Sequence, residues 1–190
     1  MSTVPERVAP DILDLARRIS TATLTSQLQK RGFANTFMLG VQPLRPELRL
    51  AGQAFTLRFI PMREDIEPPG ETDNRTSKQR LAVEAVGPGD VLVIDARGDV
   101  RAATLGDILA TRIKQRGAAG IVTDGAFRDT PSIRALERMQ PGCCGQSNGL
   151  TPGMTVLCLL CRPWRRSRIV SLQCNGRHRR SRTRCVRTRQ

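Results

Sequence analysis

The sequence predicts an α/β domain joined to a tail of different composition. Apolar runs of strand length at residues 53–60, 91–95 and 119–123 alternate with amphipathic helical stretches, the order that builds a sheet covered by helices. A chain of 190 residues can hold one domain with a full core. The charge is unevenly spread. Residues 1–140 hold 20 Lys and Arg against 17 Asp and Glu, a net of +3. Residues 141–190 hold 11 Arg with no Lys and no acid, and with them all six cysteines, the only His and the only Trp. The overall charge of +14 therefore describes the tail and not the domain. The expected division is a domain over 1–139, incomplete at its C-terminal side, and a basic, cysteine-containing tail over 140–190. No stretch resembles a signal peptide or a membrane span, so the expected location is the cytoplasm, with no membrane partner.

The elements follow in order. Ile12, Leu15 and Ile19 recur at spacings of three and four, an amphipathic helix over 10–18. Ser20 or Thr21 caps a second helix through Lys30, and Gly32 stops it. Residues 37–44 are apolar and read as extended. Over 53–60, Phe55, Leu57 and Phe59 alternate with Thr56 and Arg58, a half-buried strand. Residues 61–78 read as a long exposed loop, with a functional loop and a disordered insertion as its two readings. A short helix follows over 79–86, then a Pro-Gly-Asp turn into a buried strand over 91–95. Pro131 starts a last helix with Ile133 and Leu136 inward.

The centre of the chain is residues 106–129, GDILATRIKQRGAAGIVTDGAFRD. Ile108, Leu109, Ile113 and Arg116 sit at helical spacing, and Gly117 ends that helix. Residues 119–123 form a buried strand closed by Asp124-Gly125, and Arg128-Asp129 lie just beyond. Ligands gather at such strand ends in α/β proteins. A guanidinium such as that of Arg128 forks onto carboxylate or keto-acid oxygens. A carboxylate such as that of Asp129 suits Mg²⁺ or Mn²⁺, with water completing the shell. The free N–H groups at a helix start over Gly106–Leu109 bind anions. The plainer readings are a surface ion pair after a turn and an ordinary helix N-terminus.

These residues resemble the RraA-like family, which includes the regulator of ribonuclease activity A and the metal-dependent 4-hydroxy-4-methyl-2-oxoglutarate aldolases. GDILATR, RGAAGIVTDG and FRD occur in family order and spacing, supported upstream by residues 20–32, 52–61 and 85–99. The resemblance implies a swivelling β/β/α domain, assembled as a homotrimer where the C-terminal part is intact. It implies a substrate-binding backbone over Gly106, Asp107, Ile108 and Leu109, with Arg128 binding substrate and catalysing. Asp129 would be the ligand of a divalent cation, Mg²⁺ or Mn²⁺. The implied activity is that of a class II-type lyase. It would cleave a 4-hydroxy-2-keto diacid to pyruvate and decarboxylate oxaloacetate through the same enolate. The alternative from the same family is a non-catalytic regulator that binds and inhibits a ribonuclease. One departure stands out: Ser132 occupies a position that is typically acidic in the aldolases. Asp124 is expected only to hold its own Asp-Gly turn.

Past Met139 the family pattern stops. Trp has the single codon TGG. Read one base later, TGG before an Arg codon CGN gives GGC, a glycine. Gly176-Arg177-His178-Arg179-Arg180 read the same way is compatible with Gly-Asp-Ile-Val. Both segments recover family motifs in one shifted frame, so the tail reads as translated out of frame from about residue 139–142. A truncated, non-functional product is then a third alternative. The competing reading is an Arg-rich arm on nucleic acid, but such arms usually mix in Lys and aromatics. Cys158 and Cys161 lack the second pair that a zinc site needs. Sequencing the DNA over codons 135–190 is expected to show Gly-Gly-Val-x-Val and Gly-Asp-Ile-Val-Val in the shifted frame. A shifted frame full of stop codons would overturn this.

Overall fold

The structure is a computed structural model that describes residues 7–38, 40–60, 73, 75–136 and, for the backbone alone, 140–143. The long loop expected at 61–78 lies mostly outside the described residues, as does nearly all of the basic tail.

The central sheet grows from buried apolar runs. Strands β2 (Gln53–Arg58), β3 (Asp90–Asp95) and β5 (Gly120–Thr123) pair in parallel, with Phe55 opposite Leu92 and Leu92 opposite Ile121. A strand buried on both faces has no polar side to alternate with, which is why residues 91–94 of β3 and 120–122 of β5 are continuously apolar. β7 (Gln140–Cys143) continues the parallel set beside β5, and β1 (Gln42–Pro43) closes the edge antiparallel to β7. The order is β1-β7-β5-β3-β2. Among the described residues of the extended stretch expected at 37–44, only Gln42 and Pro43 pair as a strand.

A second, two-stranded parallel sheet pairs β4 (Ala103–Leu105) with β6 (Ala126–Phe127). The sequence predicts no strand in either segment. They are three and two residues long, below the length at which a period of two can be recognised.

The helices follow the predicted pattern closely. α1 spans Pro10–Arg18 and α2 spans Thr21–Lys30, with the Ser20 hydroxyl accepting the Thr23 N–H at 3.1 Å as N-cap. α3 (Lys78–Ala85), α4 (Asp107–Gln115) and α5 (Thr130–Arg134) share one core with the sheet. Leu92, Ile94, Ile113, Ile121 and Ile133 are fully buried there, and Leu105 and Phe127 bring the small sheet into it. Val41, Val91 and Val122 form a second, smaller core. α1 buries no residue fully, and Ile12 and Leu15 are exposed despite its amphipathic pattern.

α4 is fixed on both sides. Ile113 anchors it in the core, and Arg112 forks onto Glu84 of α3 at 2.8 and 2.7 Å. That hydrogen bond holds the Glu84 carboxyl below its ordinary range. Arg116 donates to the Val86 carbonyl at 2.7 Å, and the chain leaves the helix through Gly117 in the left-handed region. Replacing Ile113 with Ala removes a side chain from the centre of this packing. The expected loss is about 2–5 kcal/mol of unfolding free energy in urea titration. A loss below about 1 kcal/mol would show that α4 is not seated in the core.

Candidate functional site

The parallel pairing of β4 with β6 puts the two halves of the central motif side by side. The Arg128 N–H donates to the Leu105 carbonyl at 3.2 Å, so the residue after β4 faces the residues after β6. Gly106 is the residue after β4. A Cβ built on it would lie 2.6 Å from Arg128 Nε, 2.6 Å from Asp129 Oδ2 and 3.0 Å from Arg128 Cγ. A side chain there would have to displace the Arg128 and Asp129 side chains, and the lack of a Cβ lets the backbone come against both charged groups.

Asp129 is the N-cap of α5, yet its side chain makes no cap hydrogen bond. Caps normally sit in the extended region and turn the carboxylate onto the helix N–H groups. Asp129 has φ 57° and ψ 34°, the left-handed region, an uncommon position for a residue with a Cβ. The carboxylate is therefore not engaged as a cap. Its contact with Arg128, at 3.5 Å from Nε, is loose. Among the described residues Asp129 is the one ionic partner of Arg128, and the two side chains are 71% and 44% exposed. Both are available to a ligand.

Gly106 takes an extended φ of −119° as N-cap of α4 and has no side chain to satisfy the first-turn N–H groups. Asp107, Ile108 and Leu109 follow it as the first turn of α4. Leu109 is in the core, and Asp107 and Ile108 line a groove of about 490 Å³ between α3 and α4 that neither Arg128 nor Asp129 lines. Ile108, placed by its spacing on the apolar face, is 72% exposed. In this segment Gly106 is the residue shown against Arg128 and Asp129.

Asp124 differs from expectation. Its Asp-Gly turn is closed by the Thr123 hydroxyl, which accepts the Gly125 N–H at 3.0 Å. The Asp124 carboxylate instead accepts from Ala96 N at 2.5 Å and Gly98 N at 2.7 Å, in the turn after β3. The sequence signal was an Asp following a buried strand, but its partners lie 28 and 26 residues upstream. In the same loop, the hydrogen bond from Arg101 pulls the Asp99 carboxyl down to about 2, an exposed pair. Ser132, in the departing position, is exposed.

Fitting a divalent cation here requires a hard oxygen donor with room for water. Asp129 supplies one carboxylate, half exposed and not used as a cap. Among the described residues no cluster of three or more His, Cys, Asp or Glu could hold a metal. The donor set thus suits Mg²⁺ or Mn²⁺ bound through one carboxylate and water, not a cage of protein ligands.

Fold and site together define a mixed α/β domain in which a helix start, an arginine and an aspartate meet at the end of two parallel strands. The chain belongs to the RraA-like family, described as Aldolase/RraA, whose model matches residues 11–140. It is 44% identical over 88 residues to a 4-hydroxy-4-methyl-2-oxoglutarate aldolase of Thermus thermophilus, a match covering 46% of each chain. The chain thus spans less than half the length of that relative. Among solved structures it resembles Streptomyces coelicolor RraAS2, an unusual member of the RNase ES inhibitor RraA family. The TM-score is 0.61 and the identity 34%, over 74% of this chain and 65% of that one. It also resembles the RNA-processing inhibitor RraA from Thermus, with TM-score 0.51 and 26% identity over 67% of each chain. Among the described residues no helix is long and apolar enough to cross a membrane.

The left-handed backbone at Asp129 should cost stability in any variant that keeps a Cβ without the carboxylate. Asp129→Gly is expected to be more stable than Asp129→Ala by about 1 kcal/mol in urea unfolding. Equal stabilities would mean the conformation carries no strain.

Proposed function

We propose that this chain is a divalent-metal-dependent lyase. It cleaves a 4-hydroxy-2-keto diacid to pyruvate and decarboxylates oxaloacetate by the same route. The observation that carries the reading is the contact of the Gly106 backbone with both Arg128 and Asp129. It gathers an anion-binding helix start, a cation and a hard oxygen donor at one point.

The first-turn N–H groups of α4 bind the substrate carboxylate. Arg128 donates to the keto oxygen, where negative charge grows as the carbon–carbon bond breaks, and stabilises it there. In both reactions the electron pair of that bond stays on the pyruvate fragment as its enolate, which then takes a proton; in the aldol cleavage the 4-hydroxyl gives its own proton to water as it becomes a carbonyl. The other fragment leaves as a carbonyl compound or as carbon dioxide. Asp129 would hold the divalent ion, which supplies Lewis-acid polarisation of the keto-acid oxygens. The strain and exposure of Asp129 suit a ligand better than a structural ion pair.

The second reading is a regulator that binds a ribonuclease, favoured by the likeness to RraAS2 over three quarters of this chain. Pyruvate release from oxaloacetate, above the rate with Mg²⁺ alone, separates the two. It is expected to require the protein and Mg²⁺ together and to fall about 10²–10³-fold in Arg128→Ala. Asp129→Asn is expected to lose the Mg²⁺-stimulated release. No such release from a cooperatively folded protein, with capture of a purified ribonuclease, would replace the lyase reading with the regulator.

A further inference from the structure

Asp124 has no part in the chemistry above, yet it is 3% exposed and both carboxylate oxygens are engaged. Buried carboxylates are held at a desolvation cost, which hydrogen bonds to backbone N–H groups offset. The two donors, Ala96 and Gly98, belong to the turn through which the chain leaves β3 for β4. Asp124 itself sits where the chain leaves β5 for β6. One branch leads to Gly106 and the other to Arg128 and Asp129, so the carboxylate joins the roots of the two strands whose tips make the site.

The small sheet needs such a tie. β4 and β6 share only two register pairs, Ala103 with Ala126 and Leu105 with Phe127, and the register shifts between them. So short and irregular a ladder specifies its own offset weakly. Neighbouring contacts run in the same direction. Thr104 Oγ1 donates to the Ala126 carbonyl at 3.0 Å, and Gln79 donates to the Thr104 carbonyl. A Cβ on Gly125 would stand 2.7 Å from Ala96 Cβ and 2.9 Å from Thr104 Cγ2, so the turn and β4 pack directly on the residue after Asp124. The Asp-Gly turn has no need of this carboxylate, because Thr123 closes it.

We infer that Asp124 is a positioning residue: by clamping the turn at Ala96–Gly98 it sets the offset of β4 against β6 and holds Gly106 in contact with Arg128 and Asp129. The structural part stands by itself. Its effect on turnover rests on the lyase reading.

The test is Asp124→Asn in the full chain. The shape is kept, but the amide nitrogen meets a backbone N–H donor to donor, and one of the two bonds is lost. The backbone amide resonances of Gly106, Arg128 and Asp129 are expected to move together with those of Ala96 and Gly98, while those of α1 stay in place. kcat for oxaloacetate is expected to fall about 10²-fold, as for a reacting group displaced by about 1 Å. Shifts confined to Ala96 and Gly98, with kcat unchanged, would overturn the assignment. If wild-type protein releases no pyruvate, the lyase reading fails and the resonance shifts still decide the role of Asp124. If the variant does not fold, hydrogen exchange on wild-type protein decides. The Ala96, Gly98 and Arg128 amides are expected to exchange through one common opening, and independent exchange at Arg128 would overturn the clamp.

Discussion

The pairing of β4 with β6 is the constraint on which the site depends. Two strands of three and two residues cannot stand alone in water, since isolated pairs are marginal even at greater length. They persist because Leu105 and Phe127 are buried in the same core as Leu109, Ile113 and Ile133. The hydrophobic burial that stabilises the domain therefore also sets where Gly106 stands against Arg128. A close-packed core transmits small displacements instead of absorbing them. Changes under α4 should thus be felt at the site without any contact with a ligand.

Asp129 shows the opposite balance. Its left-handed backbone and unused cap are local losses, and the surroundings over-determine them. β6 delivers the chain to this point, and Ile133 is pinned in the core four residues later, its N–H bonded to the Asp129 carbonyl at 3.0 Å. Between these two anchors the carboxylate is turned outward. Stability optimised residue by residue would remove this arrangement, which accords with a binding role.

Much of this was legible in the sequence because it is periodic or punctuated. α1, α2 and β3 follow from the spacing of Ile, Leu and Val, and the ends of α2 and α4 from Gly32 and Gly117. Arg128, Asp129 and the Gly106 segment were recognisable by their family spacing. The small sheet was not, because two or three residues carry no period. The exposure of Ile108 was not, because apolar spacing cannot separate a core position from one at the rim of a groove. The partners of Asp124 were hidden for a third reason: a hydrogen bond across 28 residues leaves no local mark, and an Asp before Gly already has a sufficient local explanation.

The strand order has a consequence for synthesis on the ribosome. β1 comes early in the chain, yet the strand it pairs with is β7, roughly a hundred residues later, and β7 also separates it from β5. At about 5–20 residues per second, residues 42–43 wait roughly 5–20 s for a partner. Meanwhile β2, β3 and β5 can already zip together, so the nascent domain passes through a stage with the β5 edge open. An open, apolar edge is where another nascent chain can pair. The domain's exposure to misassembly is thus concentrated in the interval before residues 140–143 emerge.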